Sequence, residues 1–205
     1  MGDGGRRALD VVGAAAGLAV LAPVVALVAW RVRKDLGSPV LFTQERAGRD
    51  GRAFTLHKFR SMRDLAPGES LYADDDARLS PFGRRLRSTS LDELPQLFDV
   101  LRGDMALVGP RPLPVAYVDR YDATQRRRLE VRPGITGWAQ VQGRNALTWE
   151  ERLALDVWYV DHRSVWLDLR IIGRTIGTVL RREGISAEGV ATMPEFLGGN
   201  RSDLA

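Results

Sequence analysis

The sequence predicts an α+β fold, a mostly helical, membrane-associated domain with one β-hairpin and an N-terminal re-entrant membrane helix broken at Pro23. Three observations lead to this prediction. Residues 11–30 form an apolar stretch with arginines on both sides. Two strand-like runs flank a tight-turn pair, Asp50-Gly51. Several segments with helical character follow the hairpin, and the last of them is amphipathic.

The apolar stretch is long enough to reach across a bilayer, because about 20 helical residues rise about 30 Å. A simple spanning helix carries its basic residues mainly at the cytoplasmic end. Here Arg6 and Arg7 precede the stretch and a basic cluster at 31–34 follows it. Pro23 removes a backbone hydrogen bond and kinks or breaks a helix. Residues 1–35 are therefore predicted to dip into the bilayer, bend and return; an ordinary span and a cleaved signal peptide are the alternatives.

The composition narrows the class of protein and of partner. The remainder of the 205 residues can form one domain with its own core. The net charge of +4 comes almost wholly from arginine. Codon usage in a GC-rich genome explains such a surplus, and so does phosphate binding by forked guanidinium groups or attraction to an anionic leaflet. No nucleic-acid partner is expected, because no helix-turn-helix or aromatic β-platform is present. The absence of cysteine excludes disulfides and thiolate zinc sites.

The first elements after the membrane segment form a predicted β-hairpin. Residues 40–44 and 53–58 are strand-like, and Asp50-Gly51 favours the tight reversal between them. The polar segment 64–77 contains three successive aspartates. A metal cluster and a solvated acidic loop are the two interpretations of that segment.

Four helices are predicted in the rest of the chain. They cover residues 94–101, 116–129, 149–159 and 165–182. The last of them has apolar residues at helical spacing on one side, beginning with Trp166, and arginines over much of the remainder. Its apolar stripe faces either a protein core or the headgroup layer of a membrane, with Trp166 setting the depth in the second case.

One carboxylate pair, Asp92 and Glu93, lies among cations and is the main candidate for chemistry. Its structural interpretation is a helix start, since Ser90 and Glu93 have capping-box spacing. Pro95 lacks the N–H that such a helix needs, and a later start with Asp92 as the cap removes that conflict. The functional interpretation is a carboxylate kept ionised by nearby arginines. Such a group can coordinate Mg²⁺ or attack phosphorus as a nucleophile.

Two further segments have features that suit an anionic ligand. Arg111 lies between two prolines, which stiffen the backbone on either side. The segment 132–145 combines glycines, the aromatic Trp138 and the hydrogen-bonding pair Arg144 and Asn145. The structural interpretation of the Arg111 segment is a surface turn. That of the segment 132–145 is irregular packing.

Six short motifs follow one another along the chain: KFRSM at 58–62, SLDELPQL at 90–97, GDMALVGPRP at 103–112, RPGITGWAQV at 132–141, GRN at 143–145 and LDVWYV at 155–160. In this order they resemble the bacterial sugar transferase family, the small monotopic polyprenol-phosphate phosphoglycosyl transferases. The resemblance extends from the membrane segment to the tail at 191–196. It implies that this chain, like small family members, consists of the catalytic domain alone.

The resemblance implies a UDP-sugar donor, a polyprenol phosphate acceptor and Mg²⁺. Asp92 would be the nucleophile that attacks the UDP-sugar, expels UMP and carries the phosphosugar. Glu93 would hold Mg²⁺ together with Asp92, or assist proton transfer from the acceptor. Polyprenol phosphate would then take the phosphosugar and give a polyprenyl diphosphate-sugar, the first step of assembling a glycoconjugate such as an exopolysaccharide.

The other family positions can be placed one by one. Arg144 matches a nucleotide contact, and Asn145 lies beside it in the same motif. Asp156 and Asp168 match recurrent acidic positions to which no role is assigned. The basic positions around the phosphates fall on three residues: Lys58, Arg87 and Arg111.

The resemblance also implies a place in the cell. Residues 36–205 would form a catalytic domain at the cytoplasmic face of the bacterial inner membrane, monotopic, with residues 165–182 as an interfacial helix. Ala22 and Ala106 stand where members often have serine, which predicts small adjustments of packing. Members that use N-acetylated, galactose or glucose sugars share these motifs, and no oligomeric state is predicted. A non-catalytic membrane scaffold is the competing function.

Overall fold

The computed structural model describes residues 3–66, 78–143, 147–181 and 195–198. Its regular elements are α1 (Asp3–Leu36), β1 (Leu41–Ala47), β2 (Ala53–Phe59), α2 (Pro81–Ser88), α3 (Gln96–Arg102), β3 (Ala106–Val108), α4 (Ala123–Arg126), β4 (Gly134–Thr136), α5 (Trp138–Gln142), α6 (Trp149–His162) and α7 (Val165–Arg181). Helices predominate over two small sheets, which confirms the predicted mostly helical α+β class.

The apolar N-terminal segment is a single helix of 34 residues, α1, with Pro23 in its interior. The secondary structure thus continues through Pro23, where the sequence predicted a break. A proline removes only one donor, and the turns on either side keep their own hydrogen bonds. By length and composition α1 could cross a membrane. It buries one narrow stripe, including Ala14 and Val32, and exposes most other positions, with Val20 77% exposed.

Both ends of α1 contact the same folded domain. Near the start of the helix, Arg6 Nη2 lies 2.6 Å from Asp168 Oδ2 of α7. Near its end, Val28 and Val32 pack against Phe59 of β2. Between these contacts, residues 19–23 are exposed or half-buried. The helix therefore packs against the domain on either side of residues 19–23, including at the fully buried Ala14, and presents its remaining apolar side chains to the surroundings.

The predicted β-hairpin is confirmed. Strands β1 and β2 pair antiparallel, with Leu41 opposite Phe59 and Ala47 opposite Ala53. The turn between them uses positive φ at Asp50 (57°) and at Gly51, a conformation that Asp and Gly adopt more readily than other residues. The pairing fixes the position of Lys58, one residue before the end of β2.

A second sheet was not predicted. Strand β3 pairs parallel to β4, with Ala106 opposite Gly134 and Val108 opposite Thr136. A Cβ on Gly134 would lie 2.0 Å from the nitrogen of Gly109, so only glycine permits this approach. The glycines of the 132–145 segment were interpreted as room for a ligand or as irregular packing. At Gly134 the structure shows packing against another main chain.

The helix predicted over 116–129 is wrong as a single element. A 3₁₀ segment, Val115–Arg120, ends at extended Tyr121, and Asp122 then starts α4 with a capping box. The Asp122 side chain satisfies the backbone N–H of Gln125, which favours a new helix start over continuation of the old one. A further 3₁₀ turn, Arg127–Glu130, follows. The other three predicted helices correspond to α3, α6 and α7.

The apolar residues of α7 were predicted to face either a protein core or a membrane surface. In the structure some of them lie in the core and others face outward. Ile171 is fully buried and packs with Val108 and Tyr159, and the half-buried Ile172 joins that cluster. In contrast, Trp166 is 79% exposed, and Leu169 and Ile176 are exposed as well. One side of α7 therefore serves the core, whereas a second apolar side faces outward.

Candidate active site

The carboxylate pair lies on a tight turn between α2 and α3. Ser90 has a left-handed conformation (φ 56°), and Leu91–Glu93 form a 3₁₀ turn. Helix α3 begins only after this turn, with Pro95 at its N-cap and no capping side chain. Both versions of the capping interpretation are therefore wrong: neither Ser90 nor Asp92 caps a helix. The left-handed residue turns the chain, so that the two carboxylates lie outside the helix.

Glu93 is held by two cations from distant parts of the chain. Lys58 Nζ of β2 and Arg111 Nη2, from the segment after β3, each lie 2.8 Å from Glu93 Oε1. Burial raises the pKa of Glu93, but the charges of Arg111 and Lys58 outweigh it and hold that pKa well below its usual range. Glu93 is therefore ionised and its position is fixed.

Asp92 differs from its neighbour. It is 8% exposed, and within the part of the chain that the structure describes, no hydrogen bond or ion pair engages its carboxylate. Burial and the negative charge of Glu93 raise the pKa of Asp92 to about 6, against the opposing charges of Lys58, Arg87 and Arg111. At neutral pH it is thus mostly an ionised carboxylate with free lone pairs, which is the state required of a nucleophile.

The three predicted cations and the two carboxylates form one cluster. Arg87 of α2 approaches from the side of Met62, with Nη1 3.9 Å from Met62 Sδ. Its charge lowers the pKa of Asp92, as do the charges of Lys58 and Arg111. Three cations from three parts of the chain therefore lie around the two carboxylates, an arrangement that suits the oxygens of a phosphate ligand.

A buried ion pair supports the backbone of Arg111. Arg128 Nη2 donates to the Arg111 carbonyl oxygen at 2.7 Å. The same guanidinium donates to Asp156 Oδ2 from Nε at 3.0 Å and from Nη2 at 2.8 Å. Arg128 was not singled out in the sequence, because it ends a run of three arginines that is typical of a solvated surface. Asp156 was noted, and the structure places it behind the site.

A second buried pair supports the strand that carries Lys58. Asp99 of α3 is fully buried. Its Oδ2 accepts from the backbone nitrogen of His57 at 3.0 Å, and its Oδ1 lies 2.7 Å from His57 Nδ1. Because His57 precedes Lys58, the pair joins α3 to β2 directly beside the Lys58–Glu93 contact. Nothing in the sequence marked Asp99, since a single acidic residue on a helix is usually exposed.

The remaining predicted residues lie elsewhere or outside the described residues. Asp168 bonds to Arg6 and to the Tyr159 hydroxyl at 2.7 Å, away from the carboxylate pair. Arg144 and Asn145 fall outside the described residues, as do the three aspartates at 74–76. The nucleotide contact expected at Arg144 therefore stays a prediction.

The two carboxylates suit a Mg²⁺ ion whose remaining ligands come from the phosphates of the substrate. Among the described residues there is no group of three or more side chains that could hold a metal ion. Mg²⁺ is, however, commonly held by one or two carboxylates together with phosphate oxygens and water. Asp92 has free lone pairs, and Glu93 uses Oε1 for its two cations.

Comparisons with known proteins place the chain in a family. The uncharacterized sugar transferase EpsL of Bacillus subtilis is 46% identical over 193 residues, which cover 94% of this chain and 96% of EpsL. The galactosyl transferase CpsE of Streptococcus agalactiae is 43% identical over 87% of this chain, but over only 43% of its own length. The UDP-glucose:undecaprenyl-phosphate glucose-1-phosphate transferase of Caulobacter vibrioides is 42% identical over 185 residues, 85% of this chain and 69% of that protein. The family model for bacterial sugar transferases matches residues 2–182. On these grounds the chain belongs to the bacterial sugar transferase family.

Proposed function

We propose that this protein transfers a sugar 1-phosphate from a UDP-sugar to polyprenol phosphate, through a phosphosugar bound covalently to Asp92, and so initiates glycoconjugate assembly. The observation that carries the proposal is the contrast within the carboxylate pair. Glu93 is bonded to Lys58 and Arg111, whereas Asp92 is ionised at neutral pH and makes no such bond among the described residues. The Caulobacter relative, a UDP-glucose:undecaprenyl-phosphate glucose-1-phosphate transferase, supports the donor and acceptor classes.

The first half-reaction forms the covalent intermediate. A carboxylate oxygen of Asp92 attacks the phosphorus that carries the sugar. The anhydride bond to the other phosphorus breaks, and its electron pair leaves with UMP. Lys58, Arg87 and Arg111 would stabilise the charge that develops on the phosphate oxygens, since fixed cations in a partly buried site do so without reorganisation.

The second half-reaction restores the enzyme. A phosphate oxygen of polyprenol phosphate attacks the same phosphorus and breaks its bond to Asp92. The products are the free carboxylate and a polyprenyl diphosphate-sugar. Bound Mg²⁺ would supply further charge neutralisation at the phosphates. The low pKa of Glu93 supports a role in holding cations, because a proton carrier needs a pKa nearer the working pH.

The membrane location is part of the proposal. The acceptor carries a long lipid tail, so the chemistry must take place at a bilayer surface. Two contacts support a re-entrant α1 with both ends at the cytoplasmic face: Arg6 with Asp168, and Val32 with Phe59. The outward apolar side of α7, with Trp166 at its start, would lie in the headgroup layer of the same face.

The reaction and its intermediate can be tested by incubating the detergent-solubilised full chain with a panel of UDP-sugars. We expect UMP release with at least one sugar and an intact-mass increase equal to one phosphosugar when the acceptor is omitted. Asp92→Asn and Asp92→Ala should abolish both signals while the thermal unfolding midpoint stays near that of the wild type. An active Asp92→Ala enzyme would contradict the covalent mechanism. If no UDP-sugar of the panel is turned over, the competing function of a non-catalytic membrane scaffold would be favoured.

The lysines provide a matched control for the role of the cations. Lys58→Met should lower the rate of UMP release about a hundredfold, the usual cost of removing one preorganised charge from a site. Lys34→Met removes the same charge from an exposed position near the end of α1 and should leave the rate within about twofold. Equal rates for the two variants would exclude Lys58 from the phosphate site.

A further inference from the structure

Segment 195–198, which follows α7 in the sequence, packs into the interior of the domain. Phe196 is 2% exposed. Its ring lies among three aromatic side chains, with centroid distances of 5.6 Å to Tyr117, 5.7 Å to Tyr121 and 5.4 Å to Trp149. We call these three side chains the aromatic cage. The proposed reaction assigns no role to the cage or to Phe196.

Polar contacts also fix the main chain of Phe196. Its backbone nitrogen donates to the Tyr117 hydroxyl at 3.1 Å. Arg120 Nη1 donates to the Phe196 carbonyl oxygen and lies 2.7 Å from Glu195 Oε1. Phe196 is therefore bound through its ring, its N–H and its C=O, so that both its position and its orientation are fixed.

One connection from the aromatic cage to Arg111 runs through Leu113. This residue lies two positions after Arg111, and it is buried in the same hydrophobic cluster as Phe196 and the two tyrosines of the cage. Its carbonyl oxygen accepts from the backbone nitrogen of Ala47, at the end of β1, at 2.9 Å. Loss of the Phe196 ring would leave a cavity in this cluster, and the surrounding structure would relax towards it.

A second connection runs through Arg128. Phe196 packs against Tyr121, whose hydroxyl accepts from Arg128 Nη1 at 3.2 Å. The same guanidinium lies over the Tyr121 ring, with Cζ 5.6 Å from the ring centroid. Through Nη2 it also donates to the Arg111 carbonyl oxygen at 2.7 Å. The cage thus supports the group that fixes the main chain of Arg111.

The position of Arg111 matters because of its partner. Arg111 Nη2 lies 2.8 Å from Glu93 Oε1, and Arg111 is one of the three cations expected around the phosphates. A misplacement of about 1 Å at a reacting site can cost about a hundredfold in rate, even when its cause lies far from the chemistry. A support for the Arg111 main chain is therefore a support for the site.

We propose that Phe196 is a positioning residue, which fills the aromatic cage and thereby holds Arg111 in the geometry that the phosphate site requires. Phe196 acts through Leu113 and Arg128. The role rests on the proposed function, because its effect on the reaction is measured as UMP release. A second measurement, hydrogen exchange of the segment 111–121, needs no turnover. It therefore distinguishes a failure of this proposal from a failure of the transferase activity.

The rate test compares two neighbouring apolar residues in the full chain. Phe196→Ala should lower the rate of UMP release at saturating UDP-sugar about tenfold, a part of the cost of a displacement of about 1 Å. Phe196→Leu keeps most of the apolar volume and should restore most of the rate. The matched control is Leu197→Ala, because Leu197 is 52% exposed; its rate should stay within about twofold of the wild type.

A double-mutant cycle shows whether the loss of rate acts through Arg111. In an Arg111→Gln background, Phe196→Ala should change the rate by less than about twofold, because the contact that Phe196 positions is already absent. A merely structural role would lower the rate by the same factor in both backgrounds, and that result would overturn the proposal. Full activity of Phe196→Ala would overturn it as well.

The exchange test uses the same variants without a nucleotide sugar. In Phe196→Ala, the amides of the segment 111–121 and of Ala47, whose N–H bonds to Leu113, should exchange with deuterium faster than in the wild type. Leu197→Ala should match the wild type. If Phe196→Ala does not fold, Phe196→Val leaves a smaller cavity and should show a smaller increase at the same amides. Unchanged exchange at these amides, with or without turnover by the wild type, would overturn the proposal.

Discussion

Arg128 and Asp156 lie 28 residues apart in the chain and meet in the interior, with both side chains 2% exposed. Burying such a pair costs desolvation energy, and hydrophobic residues of similar volume often replace it without loss of stability. Stability alone therefore does not account for the pair. A further hydrogen bond of Arg128, to the carbonyl oxygen of Arg111, explains why the pair is useful. We infer that the pair positions Arg111, which in turn contacts Glu93 at 2.8 Å.

Two variants separate this positioning role from a merely structural one. Asp156→Asn should destabilise the protein by about 3 kcal/mol, because it leaves the charge of Arg128 buried without its carboxylate counter-ion. The double variant Asp156→Asn/Arg128→Met removes both charges and should recover most of that stability in urea unfolding. Its rate of UMP release should nevertheless stay low, because the Arg111 carbonyl has lost its donor. A double variant with normal activity would show that the pair serves the fold alone.

At the scale of elements, the parts with a repeating pattern could be predicted. The hairpin was predicted from two strand-like runs around Asp50-Gly51, and α7 from apolar residues at helical spacing. Strands β3 and β4 have three residues each, too few to show any alternation. Their pairing depends on contacts between distant glycines, which a local pattern does not contain.

In the candidate site, too, some features could be predicted from the sequence and others could not. The residue types and the motif order indicated Asp92, Glu93, Lys58, Arg87 and Arg111, and the structure brings these five together. The conformation of the turn could not be predicted, because the spacing of Ser90 and Glu93 fits a capping box equally well. The buried supports behind the site were missed for a related reason: their partners are distant in sequence.

The turn itself gives an element-scale prediction. Ser90 adopts φ 56°, where glycine is at ease and a β-branched residue is strained. Ser90→Gly should therefore keep the stability and the rate of UMP release near those of the wild type. Ser90→Val should lose about 1–2 kcal/mol of unfolding free energy and much of the rate, since a relaxed turn would displace Asp92. Equal behaviour of the two variants in urea unfolding and in the activity assay would contradict a role for the left-handed turn.

At the scale of the whole molecule, the arrangement of α1 matters most. A helix long enough to cross a membrane would place its ends on opposite faces if it were straight and inserted alone. Yet Arg6 contacts Asp168 and Val32 contacts Phe59, and both partners belong to one folded domain. Both sets of contacts can persist in a bilayer only if the two ends of α1 lie on the same face. An experiment that determines the membrane topology of α1 therefore also tests how α1 packs against the domain.

The absence of cysteine from the sequence makes that topology directly testable. Gly4→Cys and Ser38→Cys each introduce one thiol at an end of α1, and a Cβ at Gly4 meets no other atom within 4 Å. In intact bacterial cells with a permeable outer membrane, a membrane-impermeant maleimide should label neither variant. After the inner membrane is opened, it should label both. This result follows if α1 enters and leaves the bilayer at the cytoplasmic face.

Each alternative topology gives a different labelling pattern. A simple spanning α1 would leave Gly4→Cys labelled in intact cells and Ser38→Cys protected. A cleaved signal peptide would remove Gly4→Cys from the mature protein altogether, which the mass of the purified chain would show. Either alternative would break the contact of Arg6 with Asp168, because each separates the start of α1 from the domain. The labelling of Gly4→Cys therefore tests the re-entrant topology and the packing of α1 in one measurement.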